Sequence, residues 1–123
     1  MKFDGVCLIT ESVPTLVRFY AKIFCAQPEG DDTHSEFHFT GLNLAIFSRE
    51  GMEQLAPGSM SGAGCGSFTI GFEVANVDAE YERLKTLGVE FVKLPTTHPW
   101  GTRSTWFRDP DGNIINFFAK AAG

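Results

Sequence analysis

The strongest constraint on the fold is an internal repeat. The pattern of strand, helix and short strands occurs twice, and the second copy begins 64 positions after the first. Under this offset the apolar helix positions coincide: Val13 with Val77, Tyr20 with Leu84, and Ile23 with Leu87. One β-α-β-β-β module leaves a face of its sheet uncovered, whereas two modules can cover each other. We therefore predict an α+β fold of two tandem βαβββ modules that form a cup-shaped mixed sheet.

The length of 123 residues fits a single domain built from these two modules. We place module one at about 3–50 and module two at about 67–120. Between them, about 51–66, lies a Gly/Ser-rich linker containing "PGSMSGAGCGS". Such a composition offers few apolar side chains for packing, so we expect this stretch to be a flexible connector.

Local patterns predict the elements within each module. Ser12 suits the N-cap of an amphipathic helix in module one, and Asn76 or Asp78 suits the cap in module two. The segments 36–40 and 42–48 both alternate between apolar and polar residues, which predicts a hairpin. In each strand, the consistently apolar face should pack under the helix of its module. The mixed face should then line the concave side of the sheet.

The last hairpin, "TRSTWFRDPDGNIINFFA", has the most informative turn in the chain. Pro110 presets φ for the turn, Asp109 can hydrogen-bond the turn backbone, and Gly112 can adopt the left-handed conformation. An isolated turn of this kind indicates a hairpin and nothing more. Its register nevertheless places three pairs on one face: Trp106 with Asn116, Arg108 with Ile114, and Ser104 with Phe118.

Charge and composition exclude several classes of function. The net charge is −5 with no run of basic residues, which argues against nucleic acid as a partner. No apolar run approaches the roughly 20 residues of a membrane helix, and the N-terminus lacks the pattern of a secretory signal. Cys7, Cys25 and Cys65 are odd in number and show no CxxC spacing. We expect reduced, largely buried thiols in a cytoplasmic protein.

Taken together, the repeat, "PWG", "RDPDGN" and "NIINFF" resemble the vicinal oxygen chelate superfamily almost from end to end. This superfamily groups glyoxalase I, bleomycin resistance proteins and extradiol dioxygenases. The resemblance implies paired βαβββ modules whose sheets form a cup. It also implies a homodimer, in some members with exchange of modules through the linker.

The resemblance further implies where metal ligands would lie. The metalloenzymes of the superfamily carry His, Glu or Gln at four equivalent strand positions, which fall here on Gly5, on Asn43 or Ala45, on Thr69 and on Asn116. None of these is an ordinary ligand for Zn, Ni or Fe(II). We therefore expect no metal and no other cofactor. A displaced metal site would need three convergent ligands from a set with unplanned spacing: His34, His38, Glu73 and His98.

The mixed faces predict a binding site for a small molecule. An aromatic lining with a few polar groups is the usual composition of such sites. The predicted ligand-binding residues are Trp106, Asn116, Phe118, Arg108, Ser104, Phe47, Thr69 and Trp100. Trp106 offers a flat surface for stacking, and Asn116 can orient a polar edge. Alternatively, the aromatic residues only fill a closed core between the modules.

Three functions are consistent with these features. The first is a metal-independent protein, similar to the bleomycin resistance branch, that sequesters an aromatic ligand in the cup of a homodimer. The net charge and Glu73 favour a cationic ligand, and antibiotic resistance is the physiological role this branch implies. The second is a lyase, isomerase or oxygenase that uses a displaced metal or acid-base chemistry by His38 or Glu73, since a carboxylate among aromatic rings can act as a base. The third is a non-catalytic dimerisation module.

Overall fold

The computed structural model of the chain describes residues 1–121. It divides the chain into two compact units, Met1–Ala63 and a second unit that begins at Gly64. Each unit contains one four-stranded sheet and a long helix that packs on it. Within residues 1–121, every helix falls short of the length and hydropathy that a bilayer crossing requires.

The first unit consists of β1 (Gly5–Thr10), α1 (Val13–Phe24), β2 (Glu29–Gly30), β3 (His34–Phe39), β4 (Leu42–Ser48) and α2 (Arg49–Leu55). Its sheet has the order β1-β4-β3-β2, in which β1 runs parallel to β4 and the other pairs are antiparallel. The helix α1 begins at the predicted cap, where Ser12 Oγ accepts a hydrogen bond from the Thr15 N–H. Its apolar stripe is buried: Val13, Leu16, Tyr20 and Ile23.

The second unit repeats this arrangement with β5 (Thr69–Glu73), α3 (Val77–Thr86), β6 (Glu90–Thr97), β7 (Thr102–Arg108) and β8 (Ile114–Lys120). Its order β5-β8-β7-β6, with β5 parallel to β8, matches that of the first unit. The prediction of an α+β fold with two tandem βαβββ modules is confirmed. Asn76 caps α3 by accepting a hydrogen bond from the Ala79 N–H. Leu87 lies beyond the last turn of α3 and is therefore more exposed than the repeat predicted.

Part of the predicted connector makes hydrogen bonds with side chains of α2. The Glu53 carboxylate accepts hydrogen bonds from the backbone N–H groups of Gly58 and Met60, at 2.7 and 2.8 Å. Arg49 donates to the Met60 carbonyl at 2.7 Å. Two side chains of α2 therefore bind the backbone of Gly58 and Met60, and the flexible connector stays a prediction.

The outer strand β6 has two register shifts against β7, between Phe91 and Lys93 and between Lys93 and Thr96, and the first of them matters for the site. Phe91 lies opposite Phe107, while Lys93 lies opposite Trp106, so Val92 is one extra residue in β6. A regular strand would set Val92 opposite Trp106 and turn Lys93 toward the side that packs on α3. The bulge therefore places Lys93 on the same side of the sheet as Trp106.

The three thiols are exposed, which corrects the expectation that they are largely buried. Cys7 points to the mixed face of β1, not to the apolar face. Cys25 forms the left-handed C-cap of α1, with φ 52°. Cys65 lies in the connector, where its Sγ donates to the Asp111 carbonyl at 2.8 Å. Apolar neighbours in the sequence did not predict burial of the three cysteines. Cys7 lies on the mixed face of a strand, Cys25 at the end of a helix and Cys65 in a loop.

Candidate ligand-binding site

The mixed face of the second sheet assembles most of the predicted site residues. Its central hairpin has the predicted register: Trp106 opposite Asn116, Arg108 opposite Ile114, and Ser104 opposite Phe118. Strand β5 adds Thr69 and Glu73 on the same face, because they pair with Ile114 and Phe118 of β8. Thr69 and Glu73 are exposed, so Glu73 is not enclosed by aromatic rings in the way that its proposed role as a base would need.

Two polar side-chain atoms on this face have no hydrogen-bond partner within residues 1–121. They are the Trp106 Nε1, a donor, and the Asn116 Oδ1, an acceptor, and both atoms are buried. A buried polar atom that makes no hydrogen bond costs about 1–3 kcal/mol, so native proteins leave few of them. Trp106 and Asn116 face each other across β7 and β8. One donor and one acceptor without a partner therefore belong to residues that lie opposite each other on this face.

Beside Trp106 lies a polar cluster that the sequence did not predict, formed by Lys93, His98 and Ser104. Lys93 Nζ lies 2.7 Å from Ser104 Oγ, 2.9 Å from the Ser104 carbonyl oxygen and 3.1 Å from His98 Nε2. His98 Nε2 is also 3.1 Å from Ser104 Oγ. The Lys93 ammonium lies over the Trp106 ring, 5.2 Å from its centroid.

Burial lowers the pKa of Lys93, and the nearby positive charge of Arg103 lowers it further. Desolvation and the charge of Lys93 lower the pKa of His98. A neutral His98 can accept a hydrogen bond from Lys93 at Nε2, which agrees with the distance between them. A cationic ligand stacked on Trp106 would have to share the ring with Lys93. The position of Lys93 therefore argues against a cationic ligand, although the net charge of the chain suggested one.

Trp100 and Arg108 occupy the margins of this face. Trp100 is 73% exposed, and its ring stacks on His98 with a centroid distance of 4.4 Å. Arg108 donates from Nη1 to the Gly112 carbonyl at 2.8 Å, so its guanidinium is partly engaged by the turn. Both can contact a ligand only from the edge of the Trp106 surface.

The remaining candidates belong to the first unit. His38 is exposed, and its Nδ1 lies 2.9 Å from Asn43 Oδ1, while its Nε2 lies 3.4 Å from the Glu29 carboxylate. The hydrogen bond to Asn43 and the contact with Glu29 raise the pKa of His38. Phe47 packs against the His34 ring, with 5.7 Å between centroids. The first unit therefore offers an imidazole with local partners and an aromatic surface.

Two surface grooves lie away from all of these residues. One, of about 590 Å³, is lined by residues at the starts of α1 and α2, including Glu11, Ser12 and Glu50. The other, of about 440 Å³, lies at the start of α3 beside the ion pair of Asp78 and Arg103. Neither groove contains an aromatic lining, and neither was predicted from the sequence.

The family model described as "Glyoxalase/Bleomycin resistance protein/Dioxygenase superfamily" matches residues 2–117. The chain belongs to this superfamily. The match spans both βαβββ modules and agrees with the resemblance drawn from the repeat and the final hairpin.

Individual relatives of the superfamily cover nearly the whole chain. The uncharacterized protein YraH of Bacillus subtilis (strain 168) is 32% identical over 126 residues, which cover 96% of this chain and 98% of that protein. A superfamily protein from Nocardioides superimposes with a TM-score of 0.85 at 22% identity, covering 100% of this chain and 85% of its own. A family enzyme from Burkholderia phytofirmans PsJN gives a TM-score of 0.86 at 16% identity, covering 98% and 99%. At these identities the two structures establish the fold alone.

The residues of this chain do not fit the metal that the superfamily implies. Cys7 and Gly71 are equivalent positions of the 64-residue repeat. Cys7 pairs with Ala45, and Gly71 pairs with Asn116, so Ala45 is the structural counterpart of Asn116. The four positions therefore carry Gly5, Ala45, Thr69 and Asn116, which offer no imidazole, thiolate or carboxylate. Within residues 1–121 no three His, Cys, Asp or Glu side chains are grouped so that they could hold a metal ion.

The backbone at Gly5 also has no room for a ligand side chain. A Cβ placed there would overlap the backbone oxygen of Asn43, whereas a Cβ at Gly71 would lie 3.6 Å from the Phe118 ring. We expect Gly5→Ala to lower the free energy of unfolding by about 1–3 kcal/mol, because β1 must move away from β4. Gly71→Ala is the matched control and should change it by less than about 1 kcal/mol. Denaturant unfolding of both variants measures the difference, and equal effects would contradict the assigned crowding.

Proposed function

We propose that this chain is a metal-independent binding protein that sequesters aromatic small molecules on the mixed face of its second module. The observation that carries the proposal is the buried pair formed by Trp106 Nε1 and Asn116 Oδ1. A ligand whose edge accepts one hydrogen bond and donates another would satisfy both atoms, while its ring packs on the neighbouring aromatic side chains.

The proposal does not include bond chemistry. The superfamily positions offer no metal ligand of the usual kind, and binding alone needs none. We further propose that the protein acts as a cytoplasmic homodimer, and that the connector allows the modules to be exchanged between protomers. Support for the dimer comes from the superfamily, and support for the compartment comes from three free thiols.

Benzamide is a suitable first probe, because its carboxamide has both a carbonyl acceptor and an N–H donor. The Trp100→Phe variant should be used as the reference protein, since Trp106 is then the only tryptophan and reports directly on the site. We expect benzamide to quench its fluorescence, and chelator treatment to leave the affinity unchanged. Adding Trp106→Leu should weaken benzamide binding at least about tenfold when measured by calorimetry, since both the stacking surface and the Nε1 donor are lost.

Calorimetry on the wild-type protein is the control for the Trp100→Phe substitution, and the two affinities should agree within about twofold, because Phe keeps an aromatic ring at this exposed margin of the site. The assignment of the site would be wrong if the Trp106→Leu protein bound as tightly as its parent. Loss of binding after removal of a stoichiometric Zn, Ni or Fe ion would contradict the metal-independent proposal and favour an enzyme.

A further inference from the structure

Lys93 differs from the other paired cations of the chain in the kind of partner it has. Arg83, Lys85 and Arg103 each contact a carboxylate at 2.7–2.9 Å, and Arg49 lies 3.9 Å from one. In residues 1–121, no carboxylate lies within ion-pair distance of Lys93. The hydrogen-bond partners of Lys93 Nζ carry no negative charge: they are the hydroxyl and the carbonyl of Ser104 and the imidazole of His98.

Partial burial of the Lys93 ammonium has a desolvation cost that a fully exposed lysine does not have. Its ammonium is partly desolvated beside a serine that is 3% exposed, and it lies over the Trp106 ring. A desolvated charge is favourable only when another charge or several hydrogen bonds compensate it. Here three hydrogen bonds satisfy the three N–H donors of the ammonium, and no carboxylate from residues 1–121 neutralises its charge.

The location of this charge also matters. The bulge at Val92 is what sets Lys93 opposite Trp106, on the face that carries the buried pair of Trp106 and Asn116. The Lys93 ammonium covers part of the Trp106 ring, so an aromatic ligand packed against the rest of that ring would lie directly beside a cation. Charges beyond a Debye length of about 8–10 Å are largely screened, so the net charge of −5 weighs less here than this single close ammonium.

The geometry points to an anionic subsite at Lys93 that recognises the carboxylate of an aromatic acid, with the ring of that acid on the Trp106 face. This inference rests on the proposed function and adds the chemical class of its ligand. A bound carboxylate would supply the missing counter-charge and would replace one of the three present acceptors, such as His98 Nε2, because the ammonium has only three N–H donors.

Three probes of matching shape and different charge test the inference: benzoate, benzamide and benzamidine. We expect the wild-type protein to bind benzoate at least about tenfold more tightly than benzamide, and benzamidine most weakly. Lys93→Met should remove the preference for benzoate and leave the affinity for benzamide within about twofold. Lys85→Met is the matched control, since Lys85 lies on the exposed face of α3 and pairs with Glu82, and it should change neither affinity.

The outcomes separate this inference from the proposed function. If benzamide binds at Trp106 and benzoate binds no better, the anionic subsite is overturned while the binding function stands. If none of the three probes binds, the proposed function fails and the subsite with it. Should Lys93→Met fail to fold, Lys93→Gln and the salt dependence of wild-type binding replace it. Added salt should weaken benzoate and not benzamide, and an equal response of both would also overturn the subsite.

Discussion

Replacing Phe107 by Ala is expected to lower the free energy of unfolding by about 3–5 kcal/mol, the range for removing a buried aromatic ring from a core. Phe107 is 0% exposed and packs edge-to-face on Phe117 with 5.1 Å between ring centroids. It lies on β7, an inner strand of the second sheet, so its neighbours cannot move in to fill the space. Denaturant unfolding followed by far-UV circular dichroism measures the loss.

Phe68→Ala is the matched control for this experiment. It removes the same side chain from the same unit, but Phe68 is 42% exposed and lies before β5. We expect a loss of less than about 1 kcal/mol, because little buried area disappears. Similar losses from both variants would contradict the assignment of Phe107 to the core side of β7. That result would also undermine the placement of the neighbouring Trp106 on the opposite face.

The second large effect is expected from Asp109→Ala. Asp109 is 4% exposed, and its carboxylate accepts three hydrogen bonds of 2.9 Å, from the N–H groups of Asp111 and Asn113 and from the Asn113 side chain. Removing the acceptor leaves these donors unpaired, with Asn113 also buried. Hydrogen bonds to a charged group contribute about 1.5–3 kcal/mol, and coupling makes their sum less than additive. We expect a loss of about 3 kcal/mol in thermal or denaturant unfolding.

Asp111→Ala is the control within the same turn. The contact that Asp111 makes with Cys65 uses its backbone carbonyl, which the substitution keeps. The change in unfolding free energy should therefore stay within about 0.5 kcal/mol, as at most surface positions. A loss as large as that of Asp109→Ala would mean that the turn depends on net charge and not on the specific acceptor at Asp109.

The final hairpin was predictable because its turn residues determine its register. Asp109 forms the hydrogen bonds expected from the motif, and Gly112 has the left-handed φ of 90° that closes the turn. With the turn fixed, every strand position follows, including Trp106 opposite Asn116. The repeat was equally informative, since it predicted two βαβββ modules without any knowledge of their contacts.

Other features could not be read from local patterns. The strand β2 has only the residues Glu29 and Gly30, which show no apolar alternation. The one sequence signal for β2 was the repeat, because a shift of 64 positions places β6, at 90–97, on positions 26–33. Connector residues such as Met60 are held by hydrogen bonds from α2. Composition cannot reveal contacts of that kind.

The polar cluster at Lys93 was missed for a different reason. Ser104 and His98 were recognised as polar residues near the site, but neither suggested a lysine as partner. Lys93 belongs to "VEFVKL", which reads as an ordinary alternating strand. Only the three-dimensional register of β6 on β7 brings Nζ to 2.7 Å from Ser104 Oγ. The position of a bulge decides toward which face of the sheet the following side chain points. The pattern of residues in "VEFVKL" does not reveal that position.

The extra residue in β6 has a consequence for how relatives of this protein should be compared. If a strand of identical sequence paired without the bulge, Val92 would lie opposite Trp106. Lys93 would then lie on the other face, and its positive charge would be absent from the face that carries Trp106. By our proposal, a homologue that pairs the same residues without the bulge would lose the preference for acidic compounds, although the lysine is still present in its sequence. A sequence alignment of the two proteins would show no difference at this position.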